Sequence, residues 1–392
     1  MITRLLTLVF GRLPIGWLQL TYSRGRMMAA LAGVAFANVL VLVQLGLMGA
    51  LNGTVGMTYQ PFRADIIISS DDTNTLTDGS PLSRRLLWQA LAVPGVAAAT
   101  PLYLGKTNWT RADGSVATMT VYGLPPEATR FAGPVLGGRL AALALPDRSL
   151  IDSRTRGTDF KAMEAISSGA PLRFEANGHA IEVIGSYALG GGFSADGSLI
   201  MSDQSFVKLF PARSSGTPSH ILVDAGRGAD VPALVARLAD TLRAEPVLVR
   251  SLEVAQAADL SYQTTQRPTG VIFGFGVSMG ILVGLVIVYQ VLSTDVADHL
   301  REYATFKAMG YPHRFFLGIV FEEALVLAVL GFVPGVTLAT VIYALLAQKT
   351  GLPVSMTLAR AAMVFVGTVV ACSLSGALAT RRLRAADPAD LF

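Results

Sequence analysis

Few side chains in this 392-residue chain have the types and spacing that chemistry requires. Gly105-Lys106-Thr107 has the ending of a phosphate-binding loop, in which backbone N–H groups and a lysine cradle a nucleotide's phosphates. The opening glycine of that motif belongs at position 100, where Thr100 stands, and Pro101 follows it. The stretch leads into a tryptophan-containing strand pattern, so no helix N-terminus is offered to the anion. Gly190-Gly191-Gly192 also lacks a following helix pattern and reads as a flexible loop. The four histidines, His179, His220, His299 and His313, are scattered, which speaks against a shared metal site. Ser149–Arg154 (SLIDSR) forms no nucleophile elbow. These residues imply no enzyme active site and no cofactor or metal held by this chain.

The surrounding elements explain why. The chain is 52% hydrophobic and 15% charged, with a mean hydropathy of +0.51. A soluble domain carries roughly 25% charged residues, so a membrane protein is expected. The formal net charge of +4 is too small to argue for nucleic acid. The one cysteine, Cys372, lies inside an apolar run and forms no intrachain disulfide. Four apolar runs predict transmembrane helices at 27–51, 271–292, 315–346 and 361–379. The first is far longer than the 7–15 residues or so of a signal-peptide core, so it reads as an uncleaved span. Residues 1–26 carry Arg4, Arg12, Arg24 and Arg26 with no acid and read as an amphipathic cytoplasmic segment broken near Gly11–Pro14.

Residues 52–266 have a mixed α and β pattern with nearly balanced charge. Strands are expected at Ala64–Ser69, Ala97–Leu104 and Val116–Tyr122, and a helix at Ser83–Leu91. Leu172–Glu175 and His179–Ile184 flank Asn177-Gly178, the strongest hairpin signal in the chain. Ile221–Val223, Val231–Arg243 and Val247–Val249 read as strand, helix, strand, followed by a helix at Leu252–Gln263.

The polar island at 293–314 separates the second and third apolar runs. It reads as one amphipathic helix outside the bilayer, with Asp295 as N-cap and Gly310 at the C′ position before Pro312. Val296, Leu300, Tyr303, Phe306 and Met309 recur every three or four residues and share a face, while Arg301, Glu302 and Lys307 lie off it. Such a ridge either packs on its own protein or lipid, or docks into a partner through Leu300, Tyr303 and Phe306.

Within the spans, small residues recur at helical spacing: Ala29, Gly33 and Ala37 on the first, Gly276, Gly280 and Gly284 on the second. They allow close helix approach, either inside one subunit or at a homodimer interface. The third run is too long for one straight span. Glu322 and Glu323 place its first turns at the membrane interface, and Gly331, Pro334 and Gly335 predict a kink. Few ionisable groups lie deep in the runs, which argues against proton or sodium coupling. Asn38 and Gln44 read as interhelical hydrogen-bonding amides.

Charge sets the expected orientation. Arg301, Lys307 and Arg314 lie between the second and third spans, and Arg381, Arg382 and Arg384 lie in the tail at 380–392. The short loop at 347–360 on the other side has only Lys349 and Arg360. The positive-inside rule puts both termini and the 293–314 connector in the cytoplasm, and residues 52–266 outside.

LREYATFKAMGYPHRFFLGIVFEEALVLAVLGFVPG resembles the connection between the second and third spans of the FtsX/MacB-like ABC permeases, with the core R-E-x-x-x-x-K-A-x-G. WLQLTYSRGRMMAALAGVAFANVLVLVQLGLMGAL and SRRLLWQALAVPGVAAATPLYLGKTNW are similar to the DevC-type branch of that superfamily. The resemblance implies four transmembrane helices with a large α+β extracytoplasmic domain between the first two. It implies a homodimeric permease of a mechanotransmitting exporter of lipid, glycolipid or another amphiphile. The family's partners are a cytoplasmic ABC ATPase dimer that binds ATP and Mg, a periplasmic membrane-fusion protein and an outer-membrane TolC-like channel. The connector then becomes the coupling helix. A regulator of cell-wall hydrolases and a lipoprotein-release permease are the alternatives the superfamily offers.

Overall fold

The structure, a computed structural model, describes residues 15–111, 114–157, 163–164, 166 and 172–379. The expected amphipathic segment up to residue 14 and the tail at 380–392 lie outside the described residues. The chain divides into two compact units: Gly49–Val271 with Leu346–Pro353, and the remainder.

In the first of these, the described residues build a nine-stranded sheet. In chain order the strands are β1 (Ile66–Ser70), β2 (Val96–Thr110), β3 (Val116–Leu124), β4 (Arg148–Asp152), β5 (Leu172–Ala176), β6 (His179–Tyr187), β7 (Gly197–Ser202), β8 (His220–Ala225) and β9 (Val247–Ser251). The spatial order is β5-β6-β4-β7-β3-β2-β8-β1-β9. The long β2 joins two halves: Val96–Leu102 pairs with β8, and Tyr103–Thr110 pairs with β3. Ile66 and Ile68 of β1 pack into a core with Leu86, Leu87, Leu234 and Leu238, whereas Ile67 packs on the opposite face with Tyr59, Leu76 and Leu222. A strand covered on both faces needs an unbroken apolar run, and Ile-Ile-Ile supplies it. The β5–β6 hairpin turns at Asn177 and Gly178, both with positive φ, as a tight twisted hairpin requires. β4 and β7 were not expected. Both are short, and β7 is buried along its whole length, so neither alternates in a way that marks a strand.

The second unit is helical. Four helices of the described residues are long and apolar enough to cross a membrane: Arg24–Thr58, Pro268–Asp298, Arg314–Thr350 and Leu358–Ala379. Their outer faces expose large apolar side chains such as Phe275, Leu282, Val333, Val341, Val366 and Leu374, which suits a hydrocarbon surround. Pro334 sits inside the continuous helix His313–Thr350.

Candidate functional site at the polar connector

The helix Pro268–Asp298 runs on through Ser293 and Asp295, so the connector is two helical pieces rather than one. The second piece is Leu300–Ala308, with His299 at its N-cap position. Asp295 is therefore not the N-cap. It lies in the last turn of the preceding helix, where its backbone carbonyl is 3.0 Å from His299 Nδ1. The far end follows the sequence expectation. Gly310 has φ +88°, its N–H donates to Lys307 O at 3.0 Å, and the Tyr311 N–H donates to Phe306 O at 3.2 Å. That pair of bonds is the Schellman arrangement, and the Phe306 and Tyr311 rings meet across it at 5.7 Å.

The apolar face of this connector points inward. Val296 and Tyr303 are each 1% exposed, in one core with Leu20, Phe316, Ile319 and Val320, and Leu300 and Phe306 pack against that core. Tyr303 sets its ring edge-on to Phe316 at 5.7 Å. Its hydroxyl donates to Gln19 Oε1 at 3.2 Å, and Gln19 Nε2 donates to Glu302 Oε2 at 3.1 Å. Burial, followed by the nearby carboxylates of Glu323, Asp295 and Glu302, pushes the Tyr303 phenol up and keeps it a donor. This corrects the expectation that Leu300, Tyr303 and Phe306 reach into a partner: the chain itself occupies that ridge. The outward surface is Glu302, Thr305, Lys307, Met309, Gly310 and Tyr311, with Met309 60% exposed. The side chain of Arg301 lies outside the described residues.

The element that covers the ridge is a short helix at Ile15–Tyr22, which sequence pattern did not single out as a packing partner. Gly16 permits its approach. A Cβ there would lie 2.8 Å from Glu323 Cγ and 2.9 Å from Ile319 O. The Trp17 N–H donates to Glu322 Oε1 at 3.3 Å. Glu322 and Glu323 are both 0% exposed, so they do not face water: they lie inside the protein, beneath Ile15–Tyr22. The Glu323 carboxyl faces the carboxyl of Asp295. Leu300–Ala308 is thus clamped, through Gln19, Gly16 and Trp17, to the start of the helix His313–Thr350.

The glycine stripes are used within the chain. Cβ atoms at Gly276, Gly280 and Gly284 would meet Gln44, Val41 and Ala37 at 2.5, 3.1 and 3.1 Å, and one at Gly33 would meet Ile287 at 2.7 Å. Cβ atoms at Gly331 and Gly335 would likewise meet Val34 and Asn38 at 2.6 and 2.9 Å. The helix Arg24–Thr58 is accordingly gripped by the two that follow it in the sequence. These contacts put the stripe against helices of the same chain. Asn38 does bridge helices, accepting from Thr368 Oγ1 at 2.5 Å, whereas Gln44 Oε1 finds no donor among the described residues.

The remaining motifs have structural roles. Gly105-Lys106-Thr107 lies in β2, paired along its length with Val121, Thr120 and Met119, where no phosphate cradle can form. Asp152, in the SLIDSR stretch, is fully buried and accepts from the N–H groups of Arg154, Leu189 and Gly190 at 3.0, 2.9 and 2.7 Å. It ties the triple-glycine loop to β4. Among the described residues no three His, Cys, Asp or Glu side chains cluster to hold a metal.

Residues 274–388 match the family described as FtsX-like permease C-terminal. Two Mycobacterium tuberculosis proteins, each an uncharacterized ABC transporter permease from a different strain, are 32% identical over 111 residues. The matched segment is 28% of this chain and 31% of theirs, so the chain spans about a third of the length of these curated relatives. Among solved structures, the periplasmic region of MacB from Actinobacillus actinomycetemcomitans is 11% identical with a TM-score of 0.34, over 50% of this chain and 91% of that one. The extracellular domain of the noncanonic ABC-type transporter YknZ from Gram-positive bacteria is 12% identical with a TM-score of 0.34, over 48% and 98%.

Proposed function

From the FtsX-like permease match over residues 274–388, we propose that this chain is the permease subunit of an ATP-driven exporter of the FtsX/MacB-like type. The observation that carries the reading is the clamped connector. A polar helix whose apolar ridge is locked onto Ile15–Tyr22 and Phe316 cannot shift alone, so a push on its outer face moves the helix His313–Thr350 with it. That is what a receiver of ATPase motion requires. ATP and Mg are held by a separate ATPase dimer, which docks on the face carrying Met309 and Tyr311. The permease acts as a homodimer in the bacterial inner membrane with its termini in the cytoplasm, and its sheet unit lies outside. The DevC-type resemblance supports a tripartite assembly with a periplasmic membrane-fusion protein and an outer-membrane TolC-like channel, and a lipid, glycolipid or other amphiphile as cargo.

The test is reconstitution of the full chain with its ABC ATPase in proteoliposomes. Two exposed apolar anchors contribute about 2 kcal/mol between them if only part of each is buried on docking. The pair Met309→Asp and Tyr311→Asp should then weaken ATPase association roughly 30-fold, with permease insertion kept. Unchanged association and unchanged ATP hydrolysis would remove this helix as the docking element.

A further inference from the structure

A groove of about 370 Å³ opens among the helices Arg24–Thr58, Pro268–Asp298 and Leu358–Ala379. That volume falls in the roughly 300–1,000 Å³ range of sites for small ligands. Its lining is apolar, including Val41, Ile281 and Met363, with two exceptions, Asn38 and Thr368. Asn38 is 3% exposed, and its Nδ2 has no hydrogen-bond partner among the described residues. Turning the amide over does not cure this. Thr368 Oγ1 lies 2.8 Å from Val364 O as well as 2.5 Å from Asn38 Oδ1, and a hydroxyl has one proton to give. If it goes to Val364, Asn38 must present its NH₂ to Thr368, and the amide oxygen is left over. In either orientation one polar atom of a buried amide has no partner, on the wall of an otherwise apolar groove. Lipid hydrocarbon cannot satisfy it.

We propose that this groove binds an amphiphile through one apolar chain that carries a hydroxyl group, with the hydroxyl seated on Asn38. The chain's methylenes fill the apolar wall. A hydroxyl both donates and accepts, so it completes the Asn38–Thr368–Val364 run of hydrogen bonds whichever way the amide is turned. A bare hydrocarbon chain fits the same space but leaves the amide atom unpaired, which is how the site separates the two. The proposal uses the membrane placement of these helices and no ATPase partner, so its failure and failure of the permease reading are separately visible.

The test uses the full chain in detergent micelles, with cis-parinaric acid as fluorescent probe and stearate and 12-hydroxystearate as competitors. In the unaltered protein 12-hydroxystearate should displace the probe at about fivefold lower concentration than stearate. Asn38→Leu keeps the branched shape of the side chain without its polar atoms and should erase that difference while the probe still binds. Gly367→Phe should abolish probe binding, because Gly367 lines the groove and a Cβ there meets nothing within 4 Å, which leaves room for a bulky side chain to fill it. Unchanged thermal unfolding of both variants shows that the fold is kept. Equal displacement by the two acids in the unaltered protein overturns the role of Asn38. Probe binding by Gly367→Phe at the unaltered level overturns the groove as the site, and includes the case in which a second copy of the chain covers it. Lipids extracted from protein purified from its native membrane distinguish a hydroxylated chain on a bulk membrane lipid from one on a minor amphiphile.

Discussion

The two units of this chain bury their carboxyl groups differently. In the sheet unit, buried Asp152 accepts three backbone N–H groups, and buried Asp259 accepts from Leu76 N–H, Tyr59 hydroxyl and Gln263 amide. His220, 1% exposed, accepts from Ser69 hydroxyl at its Nδ1, 2.8 Å away, and donates from Nε2 to Leu76 O at 2.8 Å. In the helical unit, the buried Glu323 carboxyl faces another carboxyl, that of Asp295, and Asn38 Nδ2 has no partner among the described residues. Fully satisfied groups fix loops in place and specify one arrangement. Groups left unsatisfied in a low-dielectric surround cost stability and persist where something else, a ligand or a second arrangement, uses them.

The largest effect that would break this comparison is at Asp152. Asp152→Ala leaves one buried and two part-buried N–H groups without their acceptor, each worth about 1–3 kcal/mol when buried, so the sheet unit should lose about 4 kcal/mol of stability. Glu323→Gln strips no donor of its partner and should change stability by less than about 1 kcal/mol. Denaturant unfolding of both variants in the full chain checks the contrast, and equal losses would erase the distinction between the units.

The next effect is a pH dependence. Burial pushes the His220 imidazole down from 6.5 to about 4, with the Leu76 hydrogen bond opposing. A base depressed on folding leaves stability unchanged above the unfolded value. As pH falls below about 6.5 the unfolded chain takes up a proton that the folded chain refuses, and stability declines until about pH 4. At about 1.4 kcal/mol per unit the loss amounts to about 3 kcal/mol. Unfolding free energy measured from pH 7 to 4 should carry this slope, and His220→Asn should flatten that part of it. An unchanged slope in the variant would mean that the buried histidine is not what the sheet unit loses to acid.

A smaller effect sharpens the helical side. Gly16→Ala forces a methyl group against Ile319 O and Glu323, at an overpacking cost of about 1–3 kcal/mol confined to Ile15–Tyr22. Hydrogen exchange should accelerate in Ile15–Tyr22 and Leu300–Ala308 together, with the sheet unit unaffected. Acceleration in Ile15–Tyr22 alone would show that the clamp through Gln19 does not couple the two helices.

Local features were legible because their physics is local. Asn177-Gly178 turns a hairpin since two successive residues must take positive φ, and Gly310 ends its helix for the same steric reason. The long apolar helices follow from length and composition. The isoleucines of β1 and the pattern at Val231–Arg243 likewise announced themselves, the helix observed being Val231–Thr241. What failed was orientation. The stripe Val296, Leu300, Tyr303 and Phe306 is amphipathic in sequence whether its apolar face meets a partner or its own chain. Glu322 and Glu323 suggested an aqueous boundary because carboxylates seek water, and only a covering helix reverses that.

The sequence by itself determined the long apolar helices, the hairpin turn at Asn177-Gly178 and the helix end at Gly310. Each of those depends on a few neighbouring residues. Only the tertiary structure decided which face of the connector is inside, because Gln19 and Glu302 lie 283 positions apart and Gln19 and Tyr303 lie 284 apart. It also decided that Gly276, Gly280 and Gly284 meet Gln44, Val41 and Ala37. A glycine stripe shows that a backbone comes close, but which backbone it is depends on how helices distant in sequence are arranged, and no periodicity encodes that.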